Sequence, residues 1–269
     1  EPTFMSFEVP RSFSRRVFDD GHEAIYDRRH PCHHMIRWQD ELGIKPYQLP
    51  EPFSGRRSEY RLIFVGLNPS VSENEEIPVA ADDWDLKRYD DYYRARFDPA
   101  HRNSDGRIAV RFLDNSKPKV PKLWRNIEDF GRKHISKSES DAFVLGQHAI
   151  LLEIVHYKSK GGWLGNTLSE KTSLLEHELN FTGTLLDEIA PCVLVAMGTP
   201  VLRQLNRLLD LSLGPEPQVT KLMGKALTGR TPSGARVLVA AIQHLSYPTK
   251  RDAQQAVARA ICKAIEAIS

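Results

Sequence analysis

Tyr60-Arg61-Leu62-Ile63-Phe64-Val65-Gly66-Leu67-Asn68-Pro69-Ser70 is a short apolar run that stops at a glycine and delivers an asparagine at its end. Ile, Phe, Val and Leu closed by Gly and Pro read as a buried strand emptying into a stiff loop. Asn-Pro is also a common turn opener, so this stretch taken alone reads first as an ordinary strand and turn. In open α/β sheets, loops of this kind at the carboxyl ends of strands carry the chemistry.

Outward from this run, apolar strands alternate with segments of helical period. Leu123, Ile127 and Phe130 define one amphipathic helix, and Leu175, Leu179, Leu186 and Ile189 another. Ala149–Tyr157 and Cys192–Gly198 read as buried strands. Thr199-Pro200 supplies an N-cap and a first-turn proline for a helix through Val201, Leu205, Leu208 and Leu209. A turn at Thr231–Gly234 precedes a last strand, Ala235–Ile242, and a closing helix carries Val257, Ile261, Ile265 and Ile268. Ser72–Glu75 and Thr249–Asp252 fit capping boxes. The expected fold is α/β, a three-layer αβα sandwich around a mostly parallel four-stranded sheet. Residues 1–57, broken by prolines at 10, 31, 46, 50 and 52, are expected to wrap as an extension on a domain spanning 58–269.

Composition is that of a soluble globular chain, with 41% apolar and 27% charged residues in 269. No apolar run approaches the ~20 residues of a membrane span, and the first residues lack a basic-then-apolar signal pattern. A soluble intracellular protein, cytoplasmic or nucleoid/nuclear, is expected. Cys32, Cys192 and Cys262 are too scattered for a disulfide framework or a four-thiolate cluster. A net charge of +2 is silent on nucleic acid. His30-Pro-Cys-His-His34 has metal-ligand residue types, but four of them within five residues cannot all face one tetrahedral ion, and no distant Cys/His pair completes them; a polar surface loop is expected there, with no metal. Residues 79–121 hold Trp84, Tyr89, Tyr92, Tyr93, Phe97 and Phe112 among Asp and Arg. They read either as a functional insertion or lid, or as a loop pinned by its own rings.

Two loops at strand ends stand out, Gly66-Leu67-Asn68-Pro69-Ser70 and His244-Leu245-Ser246-Tyr247-Pro248, about 175 residues apart. This pair resembles the two motifs of the uracil-DNA glycosylase superfamily, and its Asn-type first motif is closest to the mismatch-specific, thymine-DNA and single-strand-selective branches. Leu151–Tyr157 and Val193–Gly198 fall where that family has its intervening strands, so the resemblance spans about residues 58–269. Two departures are Leu245 in place of a proline and Glu153 where the best-studied branch has an Asn that reads the base.

The resemblance implies a uracil-DNA glycosylase-like fold and a base-excision repair enzyme. It would flip uracil or another deaminated or mismatched base out of DNA and hydrolyse its N-glycosidic bond. Asn68 would orient a water and His244 would donate a hydrogen bond to the departing base, with Gly66, Leu67, Pro69, Ser70 and Glu153 lining the substrate. Leu245 and Tyr247 are wedge candidates, and Ser246, Lys250 and Arg251 phosphate contacts. The partner is DNA, the protein a monomer, and no cofactor is needed. Two other readings stay open: a nucleic-acid-binding member of the fold without activity, and an unrelated α/β enzyme acting on a nucleotide. A Rossmann or Walker enzyme is disfavoured, since neither glycine signature is present. Glu153, an acid in an apolar run, is a site residue or half of a buried ion pair with Arg or Lys. If ionised it only accepts hydrogen bonds and disfavours uracil; otherwise burial keeps it protonated.

Overall fold

The structure is a computed structural model that describes residues 6–70, 75–110, 119–136, 142–159, 172–246 and 250–268. After a short antiparallel ribbon, β1 (Phe7–Glu8) with β2 (Arg57–Ser58), the chain builds one five-stranded sheet. Its strands are β3 (Leu62–Gly66), β4 (Ala149–Glu153), β5 (Cys192–Met197), β6 (Ala226–Arg230) and β7 (Arg236–Ile242), in the order β4-β3-β5-β7-β6. β4, β3, β5 and β7 run parallel, while β6 pairs antiparallel with β7.

Alternate residues of each parallel strand enter one of two cores. Ile63, Val65, Ile150, Leu152, Leu194 and Val239 face one side, and Leu62, Phe64, Leu151, Val195 and Leu238 the other. Both faces are therefore covered, which is why these strands read as continuous apolar runs. The first face packs on α1 (Arg11–Tyr26), α3 (Leu86–Ala95), α5 (Thr172–Ile189) and α6 (Thr199–Leu209); the second packs on α4 (Lys122–His134) and α8 (Arg251–Ile268). Two short helices, α2 (His33–Arg37) and α7 (Val219–Leu222), complete the set used below.

Several expectations are corrected. The sheet has five strands rather than four, because Ala226–Arg230 turns at Thr231–Gly234 and pairs back onto β7. β4 ends at Glu153, so residues 154–159 form a loop instead of prolonging the strand. Gly198, not Thr199, stands at the N-cap of α6. Residues 6–58 carry a sixteen-residue helix, α1, whose Phe13 and Val17 share a core with Ile63 and Val65. Segment 79–121 contains α3, with Trp84, Tyr89, Tyr93 and Phe97 buried and Tyr89 and Tyr92 each edge-on to Tyr93 at 5.1 Å. For these rings the self-pinned reading holds; Phe112 lies outside the described residues. So do Ser72–Asn74 and Thr249 of the two capping boxes.

Ser54 exchanges two backbone hydrogen bonds with Leu151 (2.8 and 3.0 Å) on the outer side of β4. Among the described residues, no helix is long and apolar enough to cross a membrane.

Candidate active site

The strand order reverses direction between β3 and β5, since the chain leaves β3 for β4 on one side and returns to build β5 and β7 on the other. At such a switch point the carboxyl ends of the strands splay into a crevice. Asn68 follows β3 and His244 follows β7, and both strands run the same way with β5 between them. Two strand spacings separate them laterally, roughly 10 Å.

Past their last residues, β3 and β4 stay zipped through their loops. Ile154 N–H donates to Gly66 O (3.1 Å), Val155 N–H to Leu67 O (2.8 Å) and Ser159 N–H to Pro69 O (3.1 Å). This ladder fixes Asn68, whose Nδ2 donates to Ser159 Oγ (2.6 Å) and Pro69 O (3.1 Å). With both amide hydrogens committed, the side chain's remaining capacity is to accept through Oδ1. An acceptor is what holds a water by its hydrogen and leaves the water's lone pair aimed elsewhere. Leu67 is half-buried, Pro69 buried and Ser70 exposed.

Glu153 is the register partner of Gly66, and its carboxylate packs on the glycine's α-carbon. A Cβ at Gly66 would stand 2.1 Å from Glu153 Oε2, so any larger residue here requires the buried acid to shift. Glu153 is 6% exposed, and its Oε2 has no hydrogen-bond partner. Burial, aided by the nearby Glu51 charge, pushes its pKa well above the usual carboxylate range. The shift favours the protonated acid, one of the two states left open for it. Among the described residues it forms no ion pair. The buried cations beside it, Arg96 and Lys158, go to Glu51 instead, at 2.7 and 3.3 Å, and Arg96 also binds Glu75 at 2.9 Å. Burial raises Glu51, but Arg96 and Lys158 outweigh it and hold its pKa at about 2. Burial lowers Lys158, partly offset by Glu51.

On the other side of the crevice, Gly198 takes φ 102° and ψ 161°, a conformation open in practice to glycine alone. Its N–H donates to Ile242 O (2.8 Å), which ties the end of β5 to that of β7. His244 Nδ1 accepts from Ser246 N–H (3.3 Å), which leaves the proton of a neutral ring on Nε2, and burial lowers its pKa. His244 is thus a neutral N–H donor at neutral pH. It lines a cavity of about 390 Å³ with Gly198, Thr199, Gln218, Val219, Thr220 and Gln243. Asn68 and Glu153 do not line that cavity; they form a separate group on the β3–β4 side.

The wedge assigned to Leu245 is corrected. It is 3% exposed, packed in the core with Ile242 and Val257, and its carbonyl accepts from Asn126 Nδ2 of α4 (2.5 Å). A side chain so placed anchors the loop and does not reach into a base stack. Ser246 is half-buried, and Lys250 and Arg251 are exposed at the start of α8. Tyr247 lies outside the described residues.

Sequence reasoning missed Ser159, Lys158, Glu51 and Arg96. Only Glu51 stands near a recognisable signal, the proline-flanked Pro50-Glu51-Pro52. The His30–His34 cluster also divides unexpectedly. His30 and Cys32 meet Asp20 of α1 and His177 of α5, while His33 turns to Ala24 O (2.7 Å) and His34 is exposed. No family model matches this chain, and no curated protein matches it.

Proposed function

We propose that the protein is a uracil-DNA glycosylase-like N-glycosyl hydrolase that removes uracil or another deaminated or mismatched base from DNA by base flipping. The observation that supports this reading is that Asn68, restricted to accepting, and His244, a neutral donor, each follow the carboxyl end of a parallel strand on the same side of the sheet. Hydrolysis of an N-glycosidic bond needs both: positive charge grows on the sugar and negative charge on the departing base. Asn68 Oδ1 holds a water against the sugar carbon, supplying orientation rather than basicity. His244 Nε2–H meets the charge collecting on the base oxygen, and as a neutral donor it need not lose a proton to do so. Protonated Glu153 offers one donor and one acceptor, the pattern that complements a carbonyl beside a ring N–H. Lys250, Arg251 and Ser246 lie on the same loop and helix start as His244, where phosphates of the flipped strand would run.

Labelled oligonucleotides bearing uracil, hypoxanthine, xanthine or mismatched thymine, treated with the protein and then with alkali, test this. Strand scission at one of these bases, lost in Asn68→Ala, is expected. Tight DNA binding with no abasic product at protein excess would replace it with the reading as an inactive binding module.

A further inference from the structure

We propose that Asp20, Cys32, His177 and His30 form a binding site for a zinc-class divalent cation that staples the N-terminal segment to α5 behind the candidate active site. One ligand atom from each of the four lies within 4.8 Å of the others. They come from four places: mid-α1, the loop after it, the N-cap of α2 and the first half of α5. Asp20 Oδ1 lies 3.0 Å from His30 Nε2 and 2.7 Å from His177 Nε2. Tetrahedral zinc with these atoms has ligand–ligand edges of roughly 3.3–3.6 Å, from bonds of about 2.0–2.3 Å. The short edges must open by a few tenths of an ångström and the longest must close by about 1 Å, both within reach of side-chain rotation. A thiolate, two imidazoles and a carboxylate in a tetrahedron select zinc over magnesium or calcium.

Charge points the same way. Asp20 and buried Glu178, which accepts the Cys32 S–H at 3.4 Å, are two carboxylates converging on one thiol. Among the described residues each has only histidine, and no Lys or Arg, at ion-pair distance. A divalent ion supplies the missing positive charge. On loading, the Cys32 proton passes to Glu178 and each ring moves its proton to Nδ1; zinc, Asp20 and the thiolate then sum to zero. His30 is the costly ligand, because its Nδ1 accepts the Cys32 N–H at 3.1 Å and coordination through Nε2 gives up that bond. Asp20, Cys32 and His177 therefore carry the affinity, and His30 adds to it.

The layer around the four atoms reaches the crevice. Tyr157 O–H donates to Asp20 Oδ2 (2.6 Å), and His156 donates to Glu178 Oε2 from both its backbone N–H (2.6 Å) and its ring (2.9 Å). The next two residues are Lys158, which pairs with Glu51, and Ser159, which holds Asn68. One short loop thus has its first half on the ion's outer partners and its second half on the candidate active site.

The test is metal content and spectroscopy, independent of any base release. Zinc-reconstituted protein, gel-filtered and then titrated with a chromogenic chelator, is expected to retain one zinc per chain. Its cobalt form is expected to show tetrahedral visible bands and a thiolate charge-transfer band. Cys32→Ser should lose the latter, and His177→Ala should weaken zinc by at least about tenfold, while His34→Ala matches the parent. Substoichiometric zinc in the parent, or equal affinity in Cys32→Ser, His177→Ala and His34→Ala, would overturn the proposal. If the variants fail to fold, the parent's cobalt spectrum decides alone, and absence of the thiolate band counts against the site.

Discussion

Glu153 and Gly66 face each other across the β3–β4 ladder with the carboxylate resting where a side chain on residue 66 would begin. The pair is therefore a lock and a vacancy. Gly66→Ala is expected to cost about 1–3 kcal/mol, the usual range for forcing an extra carbon into a packed site. In a Glu153→Ala background the same substitution should cost much less. Denaturant unfolding of the four proteins gives the coupling; additive losses would mean that the acid does not press on the glycine.

Glu153 also sets a pH signature. Its folded pKa is raised, so its contribution to stability is fully present below the unfolded value of about 4.5 and is lost as pH rises through the folded pKa. Glu153→Gln copies the protonated acid and cannot ionise. Its stability relative to the parent is expected to increase with pH above about 4.5. Unfolding midpoints of both proteins between pH 5 and 9 check this, and parallel curves would show an acid already ionised. In the glycosylase reading, Glu153→Gln keeps the base preference of the parent at neutral pH.

For His244, loss of the donor in His244→Ala should slow base release by roughly 10²–10³-fold with the fold intact. Because burial lowers its pKa, the acid limb of the rate profile should fall below the ordinary histidine value of about 6.5. A rate that instead falls as pH rises through that region, a limb absent in His244→Ala, would mean that the charged ring is the working form.

Arg96 joins Glu51 and Glu75 and stacks over Trp124 at 4.7 Å, all buried or nearly so. Arg96→Met leaves Glu51 with Lys158 alone and is expected to cost about 3–5 kcal/mol, as for other buried pairs broken from one side. Thermal or denaturant unfolding measures it. A loss under about 1 kcal/mol would place the pair in the solvent-screened class.

The legible parts of this chain were those whose side chains repeat at a fixed period against a single core. β3, β5, β7, α4, α5 and α8 all declared themselves in this way. α1 did not, because Phe13, Val17, Gly21 and Ala24 form a stripe about one residue wide among six charged positions, and one member of the stripe is glycine. α3 was hidden by its rings, which fitted an irregular insertion as well as a helix, and of which Tyr89 and Tyr93 are core. β6 is a five-residue edge strand holding a glycine and an exposed arginine, with too little apolar alternation to show. At the site, Asn68 and His244 were readable because each ends an apolar run. Ser159 and Asp20 were not, since hydrogen-bond partners 91 and 157 positions apart, Asn68 with Ser159 and Asp20 with His177, leave no trace in local pattern.

The two bonds between Ser54 and Leu151 have a consequence for the outer flank of the sheet. A sheet has two open flanks, and each can template a second copy. β6 guards one with Lys225 and Arg230 exposed beside it. β4, Ala-Ile-Leu-Leu-Glu, has no such charges along its first four residues and is shielded on its outer side by the segment around Ser54. Trimming the chain to residue 58 would uncover an apolar strand with its amides and carbonyls unpaired, the feature from which ordered aggregates grow. The leading segment is thus a seal on the sheet, and a shortened form is expected to self-associate before it can be assayed.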